Sequence, residues 1–213
     1  MKRALNNQYD QLYEKLKGYV AMMNFRYINL CIKAEPAALV PVKVNVEGIE
    51  KNLEQVAMTA KKDDYRFWIV PKYDEDWESI CKGIAKVHPE FKQSEGSFKV
   101  DNIGDNEEGR EVKYIELTMP EVDDNRHDAL KDAVDVVYQE CKTLMEAAVN
   151  KAKAEIAILS VGEPKEDVDG IKDAVDKLNK SCEEHRDKLH DAKLQEIEEA
   201  YQNWLSKVEK MIE

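Results

Sequence analysis

No stretch of the 213 residues approaches the roughly 18 consecutive apolar residues that a membrane-crossing helix needs. Met1-Lys2-Arg3-Ala4-Leu5-Asn6 runs straight into a polar helical pattern, without the apolar segment of a signal peptide. The expectation is a cytoplasmic protein with no membrane partner. Cysteine is scarce: Cys31, Cys81, Cys141 and Cys182 stand far apart with no CxxC spacing. That signals neither a zinc site nor a disulfide frame, and it suits a reducing compartment. Positive charge is in deficit, with 32 Lys plus Arg against 44 Asp plus Glu and a net charge of −12. A polyanion is repelled unless cations gather locally, so DNA is not an expected partner. Phosphate loops of the GxGxxG or GxxxxGK[ST] kind are missing, as are HExxH, GxSxG and SxxK. His185 and His190 are five apart, the wrong spacing for one helical face, and so make no metal pair. With 44 acids, carboxylate pairs arise by chance and none stands out as a general acid and base. The expectation is no enzyme, no cofactor and no metal.

What is present is helical periodicity interrupted by a different pattern. Hydrophobic residues make up 43% and charged residues 36%, enough for a core under a charge-rich surface. Leu5, Tyr9, Leu12, Leu16, Tyr19, Met23 and Leu30 recur at steps of three and four, with Arg26 on the missing rung, predicting a helix of about 40 Å. Pro36 and Pro41 end it. The period then shortens: Val42 to Val46 alternates as a half-buried strand, Glu47-Gly48 is a turn, and Leu53–Ala60 and Tyr65–Val70 read as strands. Asp74 to Val87 reads as a short helix facing inward with Trp77, Ile80, Cys81 and Ile84. Ser97–Val100 and Val112–Met119 read as strands around the Gly-rich turn 104–109. Trp68 and Trp77 are expected in the core of this module.

The helical period returns at Pro120, where Glu121-Val122-Asp123-Asp124 supplies a cap and first-turn carboxylates. Leu130, Val134, Val137, Cys141, Leu144, Ala148, Ala152, Ile156 and Leu159 form one seam. After the break at Val161-Gly162-Glu163-Pro164, a helix of about 70 Å carries Ile171, Val175, Leu178, Cys182, Leu189, Leu194, Ile197, Tyr201, Trp204, Val208 and Met211. Cys141, Cys182, Tyr201 and Trp204 read as core residues. Three such stripes cannot be buried singly and close into a bundle. The fold class is α+β: a three-helix bundle from residues 1–33 and 121–213, with a small β-rich domain and one short helix inserted at 34–120. Two chain crossings join them, at Ala34-Glu35-Pro36 and Thr118-Met119-Pro120.

This order of elements, with several local stretches, resembles the ribosome recycling factor family from about Tyr9 to Trp204. Ala34-Glu35-Pro36-Ala37-Ala38-Leu39 falls where the family has Ala-Ser-Pro-Ser-Leu-Leu. Val42 to Gly48 falls on its strand ending in Tyr-Gly, and Leu53-Glu54-Gln55-Val56-Ala57 resembles Leu-x-Gln-Leu-Ala. Phe67 to Asp74 is similar to the strand leading to the short helix, and Ile80–Ile84 to the Val-Glu-Lys-Ala-Ile within it. Glu116–Pro120 and Val122–Arg126 are similar to the strand into the hinge and to the Leu-Thr-Glu-Glu-Arg opening the next helix. The resemblance implies an L-shaped architecture with a barrel-like second domain on two hinge strands. It also implies a non-catalytic translation factor that binds large-subunit ribosomal RNA after termination and works with elongation factor G.

The family grips RNA with bundle arginines, which displace counterions from phosphates. By resemblance, the cations kept at or near such positions are Lys33, Arg126, Lys142, Lys151 and Lys153. His127, Asp135, Glu146, Val149 and Asn150 stand where the family has arginine. Each lost phosphate contact lowers the salt slope by about 0.9, and a carboxylate about 4 Å from a phosphate costs roughly 1–4 kcal/mol. From Lys165 to Glu213 there are 9 basic and 14 acidic residues. The expectation is a recycling factor-like protein, monomeric, with impaired activity. The alternative is a diverged paralogue whose acidic bundle binds a basic protein partner.

Overall fold

The computed structural model describes residues 2–100 and 110–212, and the Gly-rich turn expected at 104–109 lies outside them. The chain divides into two compact units, Met1–Tyr27 with Asp123–Glu213, and Ile28–Val122. The first is a bundle of α1 (Lys2–Ile28), α4 (Asp124–Leu159) and α5 (Lys165–Ile212). The second holds β1 (Lys43–Val46), β2 (Ile49–Asn52), α2 (Leu53–Val56), β3 (Ala57–Asp63), β4 (Arg66–Pro71), α3 (Trp77–Val87), β5 (Lys92–Val100) and β6 (Arg110–Thr118). Among the described residues, no helix is long and apolar enough to cross a membrane.

In the bundle, α1 buries Leu5, Leu12, Leu16, Val20, Met23 and Tyr27. Tyr27 takes the rung that the spacing left to Arg26, and Leu30 falls beyond the helix end. Its hydroxyl donates to the Val134 carbonyl at 3.1 Å, joining α1 to α4, and burial pushes its pKa up. Asp123 caps α4 by accepting from the Arg126 amide at 2.8 Å. The α4 seam runs through Leu130, Val134, Val137 and Cys141 as expected, then through Met145, Val149, Ala152 and Ile156. Leu144 is 39% exposed instead. A straight α-helix has 3.6 residues per turn, so a strict three-four alternation drifts off the buried face and the seam advances by one residue.

The seam of α5 contains what periodicity did not show. Between Cys182 and Ile197 the buried rungs are Arg186, 5% exposed, and Lys193, 8% exposed. Arg186 lies 4.9 Å from the Tyr138 ring and its guanidinium reaches Asp187 at 2.8 Å; Lys193 pairs with Glu196 at 2.6 Å. Tyr201 and Trp204 are half-buried and stacked on one another rather than sealed in the core. A ladder of polar contacts fixes α5 antiparallel to α4. Tyr201 donates to Asp124 at 2.6 Å, and His127 meets Glu198 at 3.1 Å. His190 meets Asp135 at 2.9 Å, and Tyr138 donates to Asp187 at 2.9 Å. Burial and that bond to Asp187 raise the Tyr138 pKa.

The strands of the second unit form two antiparallel sheets, β1–β2 and β3–β4–β6–β5, rather than one closed ladder. Glu47, with φ 53°, and Gly48, with φ 81°, make the turn between β1 and β2, so a strand that the sequence reading passed over follows directly. Residues 53–56 are helical, not extended: Asn52 opens a capping box in which its amide donates to Gln55 Oε1 at 2.8 Å. Phe67, Ile69, Ile115 and Leu117 point into a core shared with Val44, Ile80 and Ile84.

Trp77 packs against this core, whereas Trp68 alternates to the outward face. There it stacks near Phe98 and Tyr114, with centroids 5.9 and 4.6 Å away. Its indole N–H donates to Glu116 Oε2 at 3.0 Å, and Lys62 reaches the same oxygen at 2.7 Å. The unit's borders fall at 27/28 and 122/123 rather than at 33/34 and 120/121. The reason is backbone bonding: Ala34 N–H donates to the Asp64 carbonyl at 2.7 Å, and Met119 N–H to that of Tyr65 at 2.8 Å.

Two outcomes are expected. A Cβ on Gly83 would stand 2.5 Å from the Lys43 carbonyl oxygen, so Gly83→Ala destabilises this unit by about 1–3 kcal/mol, readable in thermal unfolding. The hydrogen bonds from Lys62 and then Trp68 hold the Glu116 carboxyl below its ordinary 4.5. Its stabilising contribution is complete above that pH and is lost as pH falls through the depressed folded value. Unfolding midpoints measured from pH 6 downward should therefore fall less steeply in Glu116→Gln than in the parent.

Candidate nucleic-acid interface

At about 100° per residue, α4 places Asp135, Lys142, Glu146, Asn150 and Lys153 in one stripe along the side flanking α5. Asp135 in that stripe accepts from His190, and Lys153 pairs with Asp176 of α5 at 2.7 Å. Arg126 and Lys151 sit on the opposite side of α4. Lys151 lines the groove towards Leu12 and Lys15 of α1, with Glu155 3.9 Å from its ammonium. Lys33 belongs to the other unit, half-buried near Asp64; Lys61 chiefly, and Lys33 to a smaller degree, holds that carboxyl down. The five expected cations therefore do not converge on one strip, and two of them are neutralised by partners on the bundle.

The substituted positions also separate by environment. His127 is largely covered, 4.2 Å from the Tyr201 ring, and belongs to the polar ladder between the helices. Glu146 and Asn150 are exposed and could meet a phosphate. Val149 is only 6% exposed and forms part of the α4 seam, so a cation there could not reach RNA. Of the crossing residues, Ala34 and Met119 are buried in the β unit, Glu35, Thr118 and Pro120 are half-buried, and Pro36 is exposed.

Sequence reading missed the cation-rich helix. α1 carries Lys2, Arg3, Lys15, Lys17 and Arg26 against only Asp10 and Glu14, in a chain of net charge −12. Lys15 and Lys17 are exposed; Lys17 lies 5.6 Å from the Tyr13 ring, and Arg26 is held by Glu140 of α4. A charge count per helix, rather than per chain, shows this surplus. Together with Lys151 across the groove, it is the bundle face where a polyanion meets least repulsion.

A helical bundle interrupted after its first helix by an antiparallel β unit is a defined class of two-unit protein. The profile of the ribosome recycling factor family matches residues 24–198. The chain belongs to that family. Among solved structures, one described as the solution structure of the ribosome recycling factor shares 17% identity with a TM-score of 0.69, covering 92% of this chain and 97% of its own. A second comes from models for the T. thermophilus ribosome recycling factor and the E. coli elongation factor G bound to the E. coli post-termination complex. It shares 18% identity, with a TM-score of 0.58, and covers 91% of this chain and 98% of its own. No curated protein matches the sequence.

The burial difference on α4 gives a direct check. Val149→Arg should lower bundle stability by about 3–5 kcal/mol, because an unpaired charge is forced into the seam. Glu146→Arg and Asn150→Arg should each stay within about 0.5 kcal/mol of the parent in denaturant unfolding.

Proposed function

We propose that the protein is a non-catalytic translation factor of the cytoplasm that binds the large ribosomal subunit after termination, with a weakened grip on its RNA. Elongation factor G is its expected partner. The observation that carries this reading is the family match across both units. The surplus of cations on α1, continued by Lys151, supports α1 and its groove with α4 as the RNA-facing side. The stripe of α4 flanking α5 supports the weakening, since Asp135 and Glu146 interleave there with Lys142 and Lys153. A second reading rests on α5, with 9 basic and 14 acidic residues from Lys165 to Glu213: that surface suits a basic protein partner and fast, salt-sensitive association.

Co-sedimentation with purified large subunits separates the two. The first reading expects binding at low salt, with a log–log salt slope steepened by about 0.9 for each added phosphate contact. Glu146→Arg with Asn150→Arg should therefore tighten binding and steepen the slope by up to about 2. Lys15→Glu with Lys17→Glu should weaken it. No co-sedimentation even at low salt, with a basic protein retained in equal amount by the tagged chain, would transfer the assignment to the second reading. Rescue of cells depleted of their own recycling factor then reports whether binding is productive.

A further inference from the structure

Three groups able to ligate a metal meet in the β unit, far from the bundle cations: Cys31, His88 and Glu90, with their donor atoms all within 4.8 Å of one another. Cys31 and His88 are buried, at 1% and 4% exposure, while Glu90 opens to solvent. The Cys31 Sγ lies 3.8 Å from His88 Nδ1, and a Glu90 carboxylate oxygen lies 3.0 Å from the same nitrogen.

The other ring nitrogen decides what Nδ1 can do. His88 Nε2 sits 2.8 Å from the Ala38 carbonyl oxygen, which can only accept, so Nε2 carries the proton. In the neutral ring Nδ1 then presents a lone pair to a thiol and to a carboxylate. Two acceptors 3.0 Å apart require a proton or a cation between them. The imidazole plane is held as well, by Phe91 stacked at 4.4 Å with a 2° interplanar angle. Cys31 takes a left-handed backbone, φ 52°, which a side-chain-bearing residue adopts at a cost and which sets its Cα–Cβ direction.

We propose that Cys31, His88 and Glu90 form a binding site for a zinc-type divalent cation, with water as the fourth ligand. A sulfur, nitrogen and oxygen donor set is the kind zinc takes, and three protein ligands with one open position is one of its regular arrangements. Bonds of about 2.3 Å to sulfur and 2.0–2.2 Å to nitrogen and oxygen give tetrahedral edges of about 3.3–3.6 Å. The observed 3.8 and 3.0 Å edges need to change by only a few tenths of an ångström. The Ala38 carbonyl on the far nitrogen is the supporting contact that fixes the tautomer of a ligating histidine. On binding, the Cys31 thiol gives its proton to solvent and its sulfur exchanges the hydrogen bond to the Asn29 carbonyl, 3.3 Å away, for the metal. The site clamps the chain leaving α1 to the end of α3, and it is independent of whether the protein works on ribosomes.

Cobalt(II) titration of the purified full chain under reducing conditions tests this. The expected result is saturation at one equivalent, with tetrahedral d–d bands and a thiolate-to-cobalt charge-transfer band, all abolished by zinc. Cys31→Ser should remove the charge-transfer band. Glu90→Gln, a change at a solvent-exposed carboxylate, should keep the fold and weaken cobalt binding about 10-fold or more. Zinc should raise the unfolding midpoint of the parent and not that of Cys31→Ser. No thiolate band at saturating cobalt, or a band that survives Cys31→Ser through Cys81, Cys141 or Cys182, would overturn the assignment.

Discussion

A chain that leaves a helical bundle for some ninety residues and then returns can close its apolar seam only if the excursion brings its own ends together. Two backbone hydrogen bonds accomplish this. Ala34 N–H and Met119 N–H bind the carbonyls of neighbouring residues, Asp64 and Tyr65, at the turn between β3 and β4. Both donors are buried, at 0% and 3% exposure, so water does not compete for them. The outgoing and incoming strands are thereby held side by side by a hairpin turn belonging to neither. The packing of Phe67, Ile69, Ile115 and Leu117 beneath that turn makes its position rigid.

Charge is distributed against the simple expectation for a family that binds RNA. α1 is cationic, α5 is anionic, and α4 mixes both signs on the side flanking α5. Where acids and bases face one another across α4 and α5 they are spent on joining the helices: His127 with Glu198, His190 with Asp135, Lys153 with Asp176. The buried thiols Cys141 and Cys182 are raised by desolvation, which keeps them protonated and inert in that seam. A screened, partly neutralised surface of this kind still attracts a polyanion, but from fewer points and with greater sensitivity to salt.

The three long helices, their order and the short helix 77–87 were legible because each depends on local periodicity and punctuation. The α+β class followed from the change of period after Pro36. What escaped has specific physical causes. Arg186 and Lys193 occupy seam rungs because an aromatic ring and neighbouring acids accept them, and no apolar pattern registers that. Leu144 was preferred to Met145 because a three-four rhythm overshoots on a 36-residue straight helix. Trp68 was assigned to the core on its size, yet strand alternation turns it outward between Phe67 and Ile69. The Cys31, His88 and Glu90 cluster is invisible to motif spacing, since its members come from two segments more than fifty residues apart. The resemblance carried an arginine position onto Val149, where only the burial pattern reveals that the side chain points inward.

The polar ladder between α4 and α5 has a mechanical consequence. Apolar rungs spaced by threes and fours nearly repeat every seven residues, so oily side chains alone would let a 48-residue rod slide by two turns with modest loss. The pairs 124–201, 127–198, 135–190 and 138–187 share one alignment. A slip would break all four together, so the rods behave as toothed racks rather than greased shafts. Shape change in this bundle is thus confined to bending along its length, and ratcheting of one rod past the other is barred.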